Sequence, residues 1–255
     1  MGSTISSNKP SDLQKRWYTT LIPQGNLDKY TIFNYYKNVK NKILPHIKDK
    51  ELIVKQIFTP DYTVLKRWAD NKKITITHLN DVNSPQSFDY WIERRAAEFH
   101  PTLNKTQTDQ IVVDLDSHGA TIEEMKQYAK KVKEILAKLP DIRDVKIQFS
   151  GGSGFYVIGK LAKSQNVNQL RHTIRDILDR EFANDPDVTT SVFYPKKVVL
   201  DLSPNKVGGS YRAPYSLNLQ TGLVAIPVHD INKFDLNIAN PLNYIKRFYI
   251  PQRRS

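Results

Sequence analysis

The chain has 255 residues, 39% of them hydrophobic and none of them cysteine. That is enough for one sizeable core, and it excludes disulfides, thiolate metal sites and cysteine nucleophiles. Lys and Arg number 38 against 26 Asp and Glu, a formal charge of +12 that draws polyanions through counterion release and makes nucleic acid the first partner to consider.

In chain order, residues 1–12 are polar and read as a flexible tail ahead of one domain over 13–250. They lack the apolar centre of a signal peptide, and no run approaches the roughly 18 apolar residues of a membrane span. A soluble protein of the cytoplasm and nucleoid, with no membrane partner, is therefore expected. Ile32, Tyr35, Tyr36, Val39 and Ile43 repeat at helical spacing, which predicts a helix over 28–47 broken by Pro45. Strands are predicted over 52–58 and 63–68. Residues 88–99 read as a helix with Trp91, Ile92, Ala96 and Phe99 inward, stopped by Pro101.

A buried-type strand follows over 110–116, and Thr121 with Glu124 forms a capping box for a helix to about residue 139. Strands at 145–149 and 155–159 flank Ser150-Gly-Gly-Ser-Gly154, and a helix over 167–182 turns Leu170, Ile174, Ile177 and Leu178 inward. Strands at 197–201, 210–217 and 223–228 and a helix at 237–248 complete the chain. Strands mixed with a few helices indicate an α+β fold on largely antiparallel sheet, flanked by helices.

Asp114 and Asp116 alternate with Leu115 on one strand, so both carboxylates share a face. Such a pair suits Mg2+ or Mn2+ bridged to substrate phosphates. Taken alone it also reads as a turn capped by Asp, just as the glycine-rich segment reads as an ordinary hairpin turn and Asp201 as a turn carboxylate. Together, two or three carboxylates beside an anion cradle meet the needs of two-metal phosphoryl chemistry. The six histidines are scattered, and none pairs at metal-ligand spacing on one helix.

This order of motifs resembles the archaeo-eukaryotic primase superfamily, and the chain is most similar to the polymerase domain of bacterial and archaeal ligase D. Lys42 to Lys55, Tyr90 to Pro101, Val199-Leu-Asp-Leu-Ser-Pro-Asn205 and Ala213-Pro-Tyr-Ser-Leu217 carry the resemblance over about residues 20–230. Arg212 and Thr221-Gly-Leu223 resemble the primase small subunit. The resemblance implies a primase-like catalytic domain in which Asp114, Asp116 and Asp201 are catalytic and bind the metals. It implies that Ser150, Gly151, Gly152, Ser153, Tyr156, Lys206 and Arg212 face the incoming nucleotide. Lys15, Arg16 and Lys29 are implied contacts to DNA at a 5′ phosphate. The sequence departs from the family at Tyr156, where histidine is usual, at Ser153, where a basic residue is usual, and at Asn218 and Gln220, where arginine is common.

The function expected is template-dependent addition of nucleotides to a 3′ hydroxyl, in DNA end repair or gap filling. The partners expected are DNA, nucleoside triphosphates, a separate ligase and an end-binding protein. The alternatives are a nucleic-acid-binding module of the same fold without turnover, and a primase that starts strands de novo. Trp17, Tyr62, Phe58 and Trp68, set among Lys15, Arg16, Lys55, Lys66 and Arg67, are further candidates for stacking on single-stranded DNA.

Overall fold

Two sheets with helices against them make up the protein. The computed structural model describes residues 29–48, 50–57, 74–79, 82, 84–103 and 106–249, with only the backbone at 29 and 74–79. Helix α1, Lys29–Ile47, continues past Pro45. The proline sits in the last turn, where its missing N–H costs only one internal hydrogen bond, so it does not break the helix as its presence suggested. Tyr35, Tyr36, Val39 and Ile43 are buried along its inner stripe.

Strands β1, Leu52–Ile57, and β2, Ile74–Leu79, pair antiparallel, and β1 is paired on its other side by β3, Ala96–Pro101. Between β2 and β3 lies helix α2, Pro85–Glu93, capped by reciprocal Ser84 and Ser87 hydrogen bonds. The helix expected over 88–99 therefore ends six residues early. Arg95 takes φ 67°, and the chain then enters the sheet because Ala96, Ala97, Glu98 and Phe99 are buried on both faces. The strand expected at 63–68 lies outside the described residues.

The larger sheet has the order β7, β8, β4, β6, β5, β9. Its strands are β4, Gln107–Ser117; β5, Ile142–Phe149; β6, Phe155–Asn166; β7, Val188–Thr189; β8, Val198–Asp201; and β9, Ile226–Val228. Every pairing is antiparallel except β7 with β8. Helix α3, Ile122–Ala137, begins at the predicted Thr121 and Glu124 capping box. Helix α4, Val167–Glu181, is capped by Asn166. Their inward residues, among them Met125, Val132, Leu170 and Ile174, join Ile111, Val113 and Leu115 of β4 in the main core.

Residues 210–217 form no strand; only single bridges, Thr102 to Ser210 and Leu217 to Val224, tie that segment to its neighbours. Its side-chain partners, described below, replace a ladder. The helix expected over 237–248 is two short 3-10 turns, Leu236–Ala239 and Pro241–Tyr244, because Asp235 and Asn240 each cap a new turn. Among the described residues no helix is long and apolar enough to cross a membrane.

Candidate active site

The sheet register brings the three predicted aspartates together. Asp114 on β4 lies opposite Asp201 on β8 and Tyr156 on β6, and Tyr156 lies opposite Gln148 on β5. Directly opposed residues share a face. Asp201, Asp114, Tyr156 and Gln148 thus form one row across four strands, and Asp116 stands beside it, two residues along β4. This face is opposite the one that packs Val113 and Leu115 into the main core.

Burial, then the charges of Asp116 and Asp201, raises Asp114 well above the usual carboxylate range. Burial and then Asp201 push Asp116 up to about 7. The guanidinium of Arg212 lowers both and is outweighed. Asp201 is oriented by its own turn, accepting from the Ser203 amide at 2.6 Å and the Ser203 hydroxyl at 2.5 Å.

Three crowded carboxylates are a hard-oxygen donor set that favours a bound cation. Among the described residues no three His, Asp or Glu side chains close into a complete metal cage. The donor set still fits magnesium or manganese, which keep several waters and take phosphate oxygens as ligands.

The Ser150 to Gly154 turn connects β5 to β6 beside this row. The Ser150 amide donates to the Gly154 carbonyl at 3.0 Å, and the Gly152 amide donates to Ser150 Oγ at 3.1 Å. Gly151 has φ 75°, where glycine is favoured, and Thr221 Oγ1 donates to its carbonyl. A Cβ on Gly154 would lie 1.7 Å from the Leu115 carbonyl oxygen. The turn is therefore pressed directly onto β4 between the two aspartates. Asn218 is buried against Gly151 and Gly152, while Ser153 stays partly exposed and Gln220 exposed.

Arg212 links the turn to the smaller sheet. Its Nη1 donates to the Ser150 carbonyl at 2.6 Å, and its Nη2 lies 3.5 Å from both Glu98 carboxylate oxygens. Gln148 Nε2 donates to the Arg212 carbonyl at 2.8 Å. Glu98 is fully buried on β3 and also meets Lys55 at 2.7 Å, His100 at 2.8 Å and the Leu219 amide. Burial alone would raise Glu98; Arg212, His100 and Lys55 outweigh it and hold the carboxyl well below its ordinary range. Burial brings His100 down to about 4 despite the bond to Glu98. At neutral pH that bond is therefore donated by a neutral imidazole.

Tyr156 is on the site's face, but its ring is only 5% exposed. It stands edge-on to Tyr211 at 5.7 Å, in a small cluster with Leu103 and Val112. Lys206 lies on the other side of Asp201, with Arg171, Arg175, Thr190, Phe193 and Ser203 around a cleft of about 320 Å3. Lys15 and Arg16, with Trp17, Phe58, Tyr62 and Trp68, lie outside the described residues, and Lys29 is described only in its backbone.

Glu98, Gln148, Asn205, Arg171 and Arg175 were not singled out as site residues. Glu98 alone had a legible signal, a carboxylate inside the apolar run Ala96 to Phe99. Asn205 is fully buried. Its Oδ1 accepts from the Val112 amide at 2.8 Å and its Nδ2 donates to the Val112 carbonyl, so it continues the β4 ladder where β8 has ended.

Residues 28–235 match the family described as LigD, primase-polymerase domain. Among solved structures, the polymerase domain from Mycobacterium tuberculosis ligase D in complex with DNA superposes with a TM-score of 0.65 at 19% identity, covering 88% of this chain and 90% of that one. The primase-polymerase domain of cyanophage S-2L gives a TM-score of 0.43 at 10% identity, covering 87% of this chain and 98% of that one. No curated protein matches. The family match spans most of the chain, including all three aspartates and the turn beside them, so this protein belongs to the LigD primase-polymerase domain family.

Proposed function

We propose that this protein is a template-dependent nucleotidyltransferase that extends a 3′ hydroxyl. The observation that carries the reading is the row of Asp201 and Asp114, with Asp116 beside it, next to a glycine turn braced by Arg212. In this reading 13–250 is one catalytic domain. Asp114, Asp116 and Asp201 would hold magnesium or manganese, which neutralises the triphosphate and stabilises charge on the attacking and leaving oxygens. Ser150, Gly151, Gly152 and Ser153 receive the triphosphate. Arg212, fixed by Glu98, adds positive charge beside it. Tyr156 forms the apolar floor beneath.

Lys15, Arg16 and Lys29 are assigned to DNA at a 5′ phosphate on the family resemblance alone. DNA end repair, with a separate ligase and end-binding protein, is the proposed setting. The DNA-bound state of the ligase D relative supports DNA as the polymeric substrate.

A second reading, a binding module without turnover, is favoured by Asn218, whose side chain is buried under the turn rather than offered to phosphate. Manganese-dependent extension of a labelled primer on gapped, overhanging and unprimed templates separates the readings. Extension only from a primer supports the proposal. Product without a primer assigns de novo priming, and binding without extension assigns the module. Asp116→Asn should lower extension by about a hundredfold or more. Its melting temperature should hold or rise, because a repelled carboxylate has been removed. Parent-level extension by this variant would sink the assignment.

A further inference from the structure

We propose that the cleft between α4 and the β7–β8 connection holds the primer strand, with Arg171 and Arg175 on its phosphates and Phe193 and Tyr194 against its bases. The inference rests on the polymerase reading and names which face of the site takes the strand bearing the hydroxyl. It begins from the order of the strands. The glycine turn lies on the β6–β5 side of Asp114, and the cleft lies on the β8 side, opening onto Asp201. Phosphoryl transfer places the attacking and leaving oxygens roughly in line. With the triphosphate on the glycine turn, the attacking hydroxyl approaches from the opposite flank of the carboxylates, and the cleft is there.

Its lining suits a nucleic-acid strand. Arg171 and Arg175 are one helical turn apart on α4, a like-charge spacing that destabilises a helix unless an anion lies between the two. The Nε atoms of both are buried without a hydrogen-bond partner. Lys206 brings a third cation, and the hydroxyl-bearing Thr190, Ser191 and Ser203 supply donors. At the cleft's mouth Phe193 is 85% exposed and Tyr194, the next residue, 83% exposed. Two adjacent aromatic rings left in water beside a basic cleft are the arrangement on which successive bases stack. A free nucleotide would meet the cations but would not need the extended aromatic edge.

The test uses the full chain with a fluorescent primer ending in a dideoxynucleotide, annealed to a longer template. Anisotropy titration of Arg171→Gln with Arg175→Gln should show primer-template affinity reduced about tenfold or more, with the salt slope shallower by about two. The Michaelis constant for the incoming nucleotide should stay unchanged. Arg171→Lys with Arg175→Lys should recover part of the affinity. Phe193→Ser with Tyr194→Ser changes only exposed positions and should weaken binding without moving the melting temperature. Iodouracil placed near the primer's 3′ end should crosslink to 193 or 194, and iodouracil in the template should not. Unchanged affinity, a raised nucleotide constant in its place, or crosslinking from the template strand would overturn the assignment. If the parent fails to extend any primer but binds and crosslinks in this pattern, the polymerase reading falls and the strand cleft stands.

Discussion

Tyr156 shows how a single side chain is claimed by two environments. Its register position puts it between Asp114 and Gln148, while burial and then the Asp114 charge raise its phenol far above the ordinary range and keep it protonated. Tyr156→His would shrink a buried ring against Tyr211 and Val112, and should cost about 2 kcal/mol of stability. The nucleotide Michaelis constant should not improve; chemical denaturation and nucleotide titration on the same variant check both outcomes. Gly154→Ala is a sharper case. The added methyl would sit 1.7 Å from the Leu115 carbonyl, so β4 and β6 must separate beside the aspartates. A loss of about 3 kcal/mol is expected, together with loss of extension, and a variant as stable as the parent would disprove the close approach.

At the scale of elements, β3 carries more than its length suggests. It pairs with β1 on one edge, while the Phe99 amide donates to Ser216 Oγ at 2.8 Å and the Ala213 amide donates to the Phe99 carbonyl at 2.9 Å. Tyr36 of α1 donates to the Ala97 carbonyl and accepts from the Leu217 amide at 3.1 Å. These bonds hold residues 211–219 against the smaller sheet without a regular ladder. Glu98 sits at the centre with Arg212, Lys55 and His100. Glu98→Gln keeps the shape but removes the charge, leaving a buried guanidinium without a counterion. A loss of about 3 kcal/mol is expected. Arg212 would also lose its fixed position beside Ser150, so the nucleotide Michaelis constant should rise in whatever fraction stays folded.

Across the whole molecule, the same cluster makes stability depend on pH. The folded pKa of His100, about 4, lies below the ordinary histidine value of 6.5. Between those values the unfolded chain binds the extra proton, so stability is full above about pH 6.5 and is lost as pH falls toward 4. The Glu98 contribution, from a carboxyl held below its ordinary range, is lost only at more acid pH. Urea midpoints at pH 7.5 and 5 should differ by on the order of 2 kcal/mol more in the parent than in His100→Gln, which cannot titrate. Equal pH dependence in the two would remove His100 from the account.

The sequence by itself determined the strands that carry Asp114, Asp116 and Asp201, the Thr121 capping box and the glycine turn. Each is written in local terms: period-two apolar runs, a cap spaced three residues from its partner, and glycines where side chains cannot fit. The tertiary structure decided that residues 96–101 leave a helical pattern for a strand, because burial on both faces outweighs a local 3.6-residue period. It decided that 210–217 is held by side chains, because Ser216, Tyr36 and Glu98 are distant in sequence from the backbone groups they satisfy. It also decided which side of Asp201 receives Lys206, Arg171 and Arg175. Their shared cleft depends on how α4 and the β7–β8 connection pack at the sheet edge, and no local pattern in the chain encodes that.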